Sequence, residues 1–383
     1  MGRQRSSLGG LLRQVHVSGP LSRAVLAERM GVNRSTILAL TAELAGVGLV
    51  REEPPSGVSG AGRPSLVVCP ESERFWVLAF DVAVDRLVAA RVGLGGPVLD
   101  RREVPRSRAG VDLDTVVRDL VAMGRELVGA APGRCVGVGA SYCGMIRPGD
   151  GMVRYGPELG WVDQAFGTEL RKALDLGVPV VVGNEAHLGA LAEFARGAGA
   201  GCPDLIYLHG DVGVGGGILV GGRLMGGESG YGCEVGHMLV NPSVSARPCL
   251  CGSRGCLEAE TGEYALLDAA GGGGSVASVV RAAVAGEVWA GRAVAEIGDW
   301  LGIGVANLIN LFNPGVVIFG GMLRDVYAVA APQVGTRIER HAMPVSRERA
   351  RLRLSELGWD AALIGAADLG FGGLLSDPVG ALS

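Results

Sequence analysis

Three thiols and one imidazole have the types and spacing that most plainly suggest chemistry. Cys249, Cys251 and Cys256 stand in a C-x-C-x4-C arrangement, with His237 upstream. Thiolate sulfur and neutral imidazole nitrogen are ligands that tetrahedral zinc prefers, and four of them fill its coordination sphere. A site with all four positions taken by protein is expected to be structural, not catalytic. Cys233 is close enough in sequence to compete with His237 as the fourth ligand. Pro248, Gly252 and Gly255 are the turn residues that a tight metal loop needs. In a cytoplasmic protein, disulfides are the less expected use of these thiols.

Around the loop stand Glu234 and Glu258, while Asn184 and Glu185 close an apolar run far upstream. Carboxylates and an amide converging on a cleft can hold neighbouring sugar hydroxyls bidentately. Spacing alone would equally describe surface glutamates.

A second constellation lies near the N-terminus. Asn33 can cap a helix that begins Arg34-Ser35-Thr36, placing one cation and two short hydroxyls at its start. That is where a recognition helix meets base edges in the major groove. Arg63 follows in a Pro/Ser/Gly-rich segment, where it could reach a phosphate or the minor groove. Residues 1–70 hold eight arginines and four glutamates, a net +4, so the remaining 313 of 383 residues carry −8. A basic head on an acidic body suits a head that meets a polyanion while the body does other work.

The elements needed to position these groups are legible. Leu8, Leu11, Leu12 and Val15 form a helical stripe. Ser22 can cap a second helix ended by Gly31, and Ile37, Leu40, Leu44 and Val47 form the inner face of a third. The Met30–Asn33 turn between helices two and three has helix-turn-helix length. Two short strands, near Leu49–Arg51 and Leu66–Val68, would flank a wing. From Arg74 onward, apolar strand-like runs (77–81, 136–139, 178–182, 205–208, 316–319) alternate with helical segments such as 113–127 and 186–196, as in an α/β architecture. Hydrophobic residues at 48% and charged residues at 19% exclude a disordered chain. Mean hydropathy is +0.33. The longest apolar stretch, Leu301 to Leu323, nevertheless carries three asparagines and Pro314, which would be costly in lipid, and Arg13 interrupts any secretory apolar run. A cytoplasmic protein with no membrane partner is expected.

Glu234-Val235-Gly236-His237, followed by Cys249-Leu250-Cys251-Gly252-Ser253-Arg254-Gly255-Cys256-Leu257-Glu258, resembles the signature of the ROK family of repressors and sugar kinases. Gly156–Trp161, Asn184-Glu185-Ala186, Gly213–Gly217, Asn313-Pro314 and Gly320-Gly321 follow in family order. The resemblance implies a multidomain chain: an N-terminal, mainly α winged helix-turn-helix over 1–70, then a two-lobed α/β actin-like domain. The first lobe would comprise 74–186 with the C-terminal helix 358–383, and the second 187–357 with a zinc loop at 237–256. It also implies that Asn184, Glu234, His237 and Glu258 contact a sugar, with His237 facing both zinc and sugar. A winged head marks the family's NagC/XylR-type repressors, whose partners are operator DNA and a sugar effector and which act as homodimers or homotetramers. The gap from His237 to Cys249 is slightly long for the family, and Glu158 stands where its sugar binders often have Asn.

The resemblance also implies what is missing. Family kinases carry D-x-G-G-T in the first strand-turn, whereas this chain reads Asp81-Val82-Ala83-Val84-Asp85. Their catalytic Asp is here Glu185, and their second phosphate loop, G-T-G, reads Asp211-Val212-Gly213. One extra methylene displaces a general base by about 1 Å, enough to weaken catalysis without preventing hydrogen bonding to sugar. A sugar-responsive regulator and not an enzyme is therefore expected. The alternatives are a hexokinase- or glucokinase-like enzyme with an accessory head, and a regulator that answers to a protein partner.

Overall fold

The computed structural model describes residues 2–55, 65–108, 110–129 and 131–382, with side chains from Ser7 onward. Three helices, α1 (Gly2–Ser18), α2 (Arg23–Met30) and α3 (Arg34–Gly46), open the chain. Their ends follow from local chemistry. Ser22 Oγ accepts from the Val25 N–H to start α2, and Gly31 ends it at φ 62°, a left-handed conformation that glycine adopts without cost. Asn33 starts α3. Strands β1 (Leu21–Ser22), β2 (Val50–Glu53) and β3 (Val67–Pro70) form a small antiparallel sheet in the order β1-β3-β2. The β2–β3 pair matches the expected flanking strands to within two residues; β1 was not foreseen. Arg63 and its neighbours 56–64 lie outside the described residues.

The body contains two five-stranded sheets of the same plan. In the first, β4 (Phe75–Val82), β5 (Arg86–Gly93), β6 (Val98–Pro105), β7 (Arg134–Tyr142) and β11 (Val180–Asn184) run in the order β11-β7-β4-β5-β6. Strands β11, β7 and β4 are parallel, and β4-β5-β6 is an antiparallel meander. A three-stranded sheet of β8 (Met145–Ile146), β9 (Val153–Gly156) and β10 (Trp161–Gln164) projects from it, with α4 (Leu113–Gly129) and α5 (Phe166–Leu174) nearby. Helix α6 (Glu185–Arg196) then leads to β12 (Leu205–Gly210), β13 (Val214–Val220) and β14 (Arg223–Leu224). Helices α7 (Leu257–Thr261), α8 (Glu263–Ala269), α9 (Val276–Val284) and α10 (Val288–Phe312) precede β15 (Val316–Gly321), α11 (Met322–His341), α12 (Pro344–Arg347) and β16 (Arg351–Leu354). The second sheet runs β14-β13-β12-β15-β16, again three parallel strands and an antiparallel meander.

The apolar stretch Leu301–Leu323 is thus no continuous span. Helix α10 stops at Asn313 (φ 45°), and β15 begins after Pro314-Gly315. No helix among the described residues is long and apolar enough to cross a membrane.

Helix α13 (Ala361–Gly370) returns to the first sheet, and α14 (Gly372–Ser376) follows it. Strand β7 has glycines facing α13: a Cβ on Gly139 would collide with the Ala366 carbonyl, and one on Gly137 with that of Gly370. Alternating glycine there lets helix and sheet backbones touch. The N-terminal helices are packed onto the same place. Leu8, Leu11, Leu12 and Val15 of α1 share one core with Leu26, Ile37 and Leu44, with Phe75, Val77 and Ala79 of β4, and with Leu363, Phe371 and Leu374. Head and body are continuous through this core.

Candidate functional site

The four expected metal ligands meet. One ligand atom from each of His237, Cys249, Cys251 and Cys256 lies within 4.8 Å of the others. Cys251 and Cys256 sulfurs are 3.8 Å apart, and His237 Nδ1 is 3.6 Å from Cys249 Sγ. Metal–sulfur bonds of about 2.3 Å and metal–nitrogen bonds of about 2.0 Å at tetrahedral angles require edges of about 3.8 and 3.5 Å. Those two edges match a tetrahedral site, and the group could hold a metal ion. Cys233 is excluded from it, since its thiol donates to the Met225 carbonyl at 3.1 Å. Hydrogen bonds hold the loop in shape. Val240 and Asn241 N–H donate to Gly255 O, Gly255 N–H to Arg247 O, and Cys249 N–H to Ser253 O. The slightly long segment between His237 and Cys249 is tied down by Arg247, which binds buried Glu260 (2.9 Å) and Glu296 (2.9 Å).

Beside the metal group a cleft opens between the two lobes. All five expected sugar-contacting residues line it: Asn184, Glu185, Glu234, His237 and Glu258. Glu158, Asp211 and the backbone of Gly213–Gly215 complete much of the wall. Its free cavity is about 50 Å³, so the cleft is narrow in this arrangement. Each group is fixed by its element. Asn184 ends β11 and caps α6, accepting from the His187 N–H (3.0 Å) and donating to the Gly144 carbonyl (3.0 Å). One amide N–H thus remains for a ligand. Glu258, in the first turn of α7, accepts from the Val214 N–H at 3.1 Å. Glu158 rides on a segment anchored by Trp161, which stacks on Tyr142 at 5.1 Å and donates to the Val111 carbonyl.

Carboxylates dominate the cleft, and burial sets their titration. Desolvation, then Asp81, Asp211 and Glu158, push Glu185 well above the usual carboxylate range. Glu158 is raised to about 7 by burial first, then by Glu258 and Glu234. Glu234 is raised by burial, with His237 opposing.

At the other end of the cleft stand Asp85 and Asp211, the carboxylates of the two altered phosphate-loop motifs. They are not free charges. Arg86 binds Asp85 (3.1 Å) and, across the lobes, Asp211 (3.1 Å), with its guanidinium 5.2 Å above the Trp359 ring. Arg108 also crosses the lobes, binding Asp85 at 2.9 Å and Glu263. An arginine bridge closes this end. Sequence reasoning missed Arg86 because nothing local marks a partner 125 positions away.

In the N-terminal region, Asn33 Oδ1 accepts from the Thr36 N–H and from the Ser35 and Thr36 hydroxyls, each at 2.8 Å. The three expected short side chains therefore organise the helix start, and their hydroxyl protons are engaged. Arg34 is exposed beside them, with no ion pair among the described residues. Together with Arg23, Ser35, Leu38 and Ser65 it lines a surface groove between α3 and the small sheet.

The ROK family pattern matches residues 77–371, including the metal group and the whole cleft. The chain belongs to the ROK family. Its relatives include both repressors and kinases. The xylose repressor of Bacillus spizizenii is 26% identical over 94% of this chain and 93% of its own length. The glucokinase of Halalkalibacterium halodurans is 28% identical but covers 76% of this chain, with 93% of its own length. Among solved structures, a ROK family transcriptional regulator described as a homolog of the E. coli MLC protein superposes with a TM-score of 0.80 at 25% identity, covering 98% of both chains.

In this ROK chain one further contact group was invisible to sequence. His16 of α1 is 1% exposed and its Nε2 lies 3.0 Å from Asp368 of α13. Arg196, the last residue of α6, binds the same Asp368 at 2.7 Å and the carbonyls of His16 and Gly95, while His16 Nδ1 accepts from the Gly95 N–H. Burial lowers the His16 pKa, with Asp368 opposing. Helix α6 therefore begins in the cleft at Asn184-Glu185 and ends against the N-terminal helix.

Proposed function

We propose that this chain is a sugar-responsive DNA-binding transcriptional repressor, with residues 1–70 as a winged helix-turn-helix and the two-lobed body as its sensor. The observation that carries the reading is coverage: the repressor relative matches head and body together, whereas the glucokinase leaves about a quarter of the chain unmatched. Exposed Arg34 at the start of α3, in a groove with Arg23, supports a recognition helix that enters the major groove. Arg63 would reach a phosphate or the minor groove from the wing. The lobes are taken as 74–186 with 358–383, and 187–357. Two copies would present their heads to half-sites about one helical turn apart, which calls for a homodimer or homotetramer.

The Cys249–Cys251–Cys256–His237 group is assigned to zinc, which when bound would fix the loop and orient His237 as a structural ion. Asn184, Glu185, Glu234, His237 and Glu258 would accept or donate to sugar hydroxyls, drawing the lobes together. Movement of the α6 N-terminus would reach α1 through Arg196, Asp368 and His16 and so change the spacing of the heads. A hundredfold change in operator occupancy requires the sugar to prefer one arrangement by about 2.7 kcal/mol.

Phosphoryl transfer is not expected. The residues at the kinase phosphate positions are bridged by Arg86, and Glu185 stands at the position of the base. The glucokinase relative keeps the kinase reading in view. ATP turnover with a hexose panel separates the two: robust turnover abolished by Glu185→Gln would establish a kinase, and none is expected. The regulator reading is tested by operator binding at fixed salt, with competitor DNA and a sugar panel.

A further inference from the structure

The charge of the cleft says something about the ligand. Its wall carries Glu158, Glu185, Glu234, Glu258 and Asp211 and no lysine or arginine. Two arginines stand behind it: Arg86 is shared between Asp85 and Asp211, and Arg106 donates through Nε to the Val84 carbonyl and makes no ion pair with Glu158 or Glu258 among the described residues. Zinc would not supply the missing cation, because one Zn²⁺ with three thiolates and a neutral imidazole carries net −1.

Within this set, Glu158 and Glu258 face each other from opposite lobes. A Cβ built on Gly213 would collide with Glu258 Oε2 and press on Glu158 Oε1 at 3.1 Å, so both carboxylates close on one small region that only glycine leaves open. Glu258 is anchored by the Val214 N–H. No side chain among the described residues donates to Glu158. Glu158 is largely desolvated and faces another carboxyl group, so its charged form is costly without a counter-charge. Either Glu158 stays protonated, or a cation sits between the two. A neutral sugar hydroxyl gives each oxygen one proton but no charge. A primary ammonium gives three donors and the charge, and it draws the first lobe toward the second.

We infer that the effector is an amino sugar with a free, protonated primary amine, held between Glu158 of the first lobe and Glu258 of the second. This rests on the sugar-sensor reading above and adds the substrate class. Glu158 is the specificity residue: its carboxylate separates an amine from a hydroxyl or an N-acetyl group at the same carbon. Binding of the ammonium ionises Glu158 and releases its proton to solvent, whereas a neutral sugar leaves that proton in place.

Isothermal titration of the full-length, zinc-loaded protein at pH 6.5 tests this. The probes are D-glucosamine, D-galactosamine and D-mannosamine, each beside its parent hexose and its N-acetyl derivative. One amine should bind roughly tenfold or more tighter than both of its neutral counterparts, as a charge-assisted pair in a sheltered cleft requires. Repeating the titration in buffers of different ionisation enthalpy should report proton release for that amine and none for its parent hexose. Glu158→Gln, with Glu158→Asn as a second variant, should remove the preference and the proton release together. A parent hexose or N-acetyl sugar that binds as tightly as its amine overturns the amine inference and leaves the sugar-sensor reading standing. If no sugar of any class binds, both fall.

Discussion

Replacing Arg196 with methionine separates sensing from DNA binding, because Arg196 touches neither the cleft nor the surface of α3. Its side chain is 13% exposed, and it contributes a 2.7 Å charge-assisted bond to Asp368 and two longer bonds to the carbonyls of His16 and Gly95. Breaking a buried ion pair outright costs about 3–5 kcal/mol. Asp368 keeps His16 as a partner at 3.0 Å, so the loss here should be nearer 2–3 kcal/mol. For a chain of this size that is a fall in Tm of about 2.5–4 °C, small enough to leave the protein folded at 25 °C. Sugar affinity without DNA and operator affinity without sugar should each stay within about threefold. The ratio of operator affinities with and without sugar should collapse, from about a hundredfold to below about fivefold, a loss of near 2 kcal/mol in coupling. Calorimetry gives the first affinity, fluorescence anisotropy the second and the ratio. A folded Arg196→Met protein whose sugar response equals that of the wild type would refute the α6 route.

Cys251→Ser should release zinc, measured by metal analysis of the purified protein, and abolish the sugar response; a fully zinc-loaded variant with normal response would refute the ligand set. Arg34→Ala should weaken operator binding by about 1–3 kcal/mol while changing affinity for random DNA much less, and equal loss on both would show that Arg34 touches only phosphate. Glu158 holds a folded pKa near 7, above the ordinary carboxylate value. Between pH about 4.5 and 7 the folded state therefore binds more protons than the unfolded one, and stability falls as pH rises through that window, by up to about 3 kcal/mol. Thermal denaturation of the sugar-free protein should show this slope, and Glu158→Gln should reduce it, leaving the part due to Glu185 and Glu234.

The metal group was legible because its ligands are chemically unusual and three of them lie within one loop, so short-range spacing already constrains their geometry. Helix caps were legible for the same reason: Ser22, Gly31 and Asn33 act on their own neighbours. The cleft was reached through motifs, and its five named residues do converge. What sequence did not reveal is how side chains are consumed. Asn184 is largely spent on capping α6, and Ser35 and Thr36 donate to Asn33 and not outward. The arginine bridge at the far end of the cleft was invisible because Arg86 meets Asp211 only in the folded chain. The His16, Arg196 and Asp368 contact joins residues 172 to 352 positions apart, and no local pattern announces it. Nor does local pattern show that the N-terminal helices share a core with β4 and α13.

The central claim is that one molecule binds specific DNA and lets go, or holds tighter, when sugar fills the cleft. Fluorescence anisotropy of a labelled fragment from the gene's own upstream region, titrated with zinc-loaded protein at fixed salt, with and without the sugar panel, tests it most directly. Competitor-resistant binding whose affinity changes by tenfold or more with one sugar class is expected. Equal, salt-dependent affinity for that fragment and for random DNA, indifferent to every sugar, would contradict it.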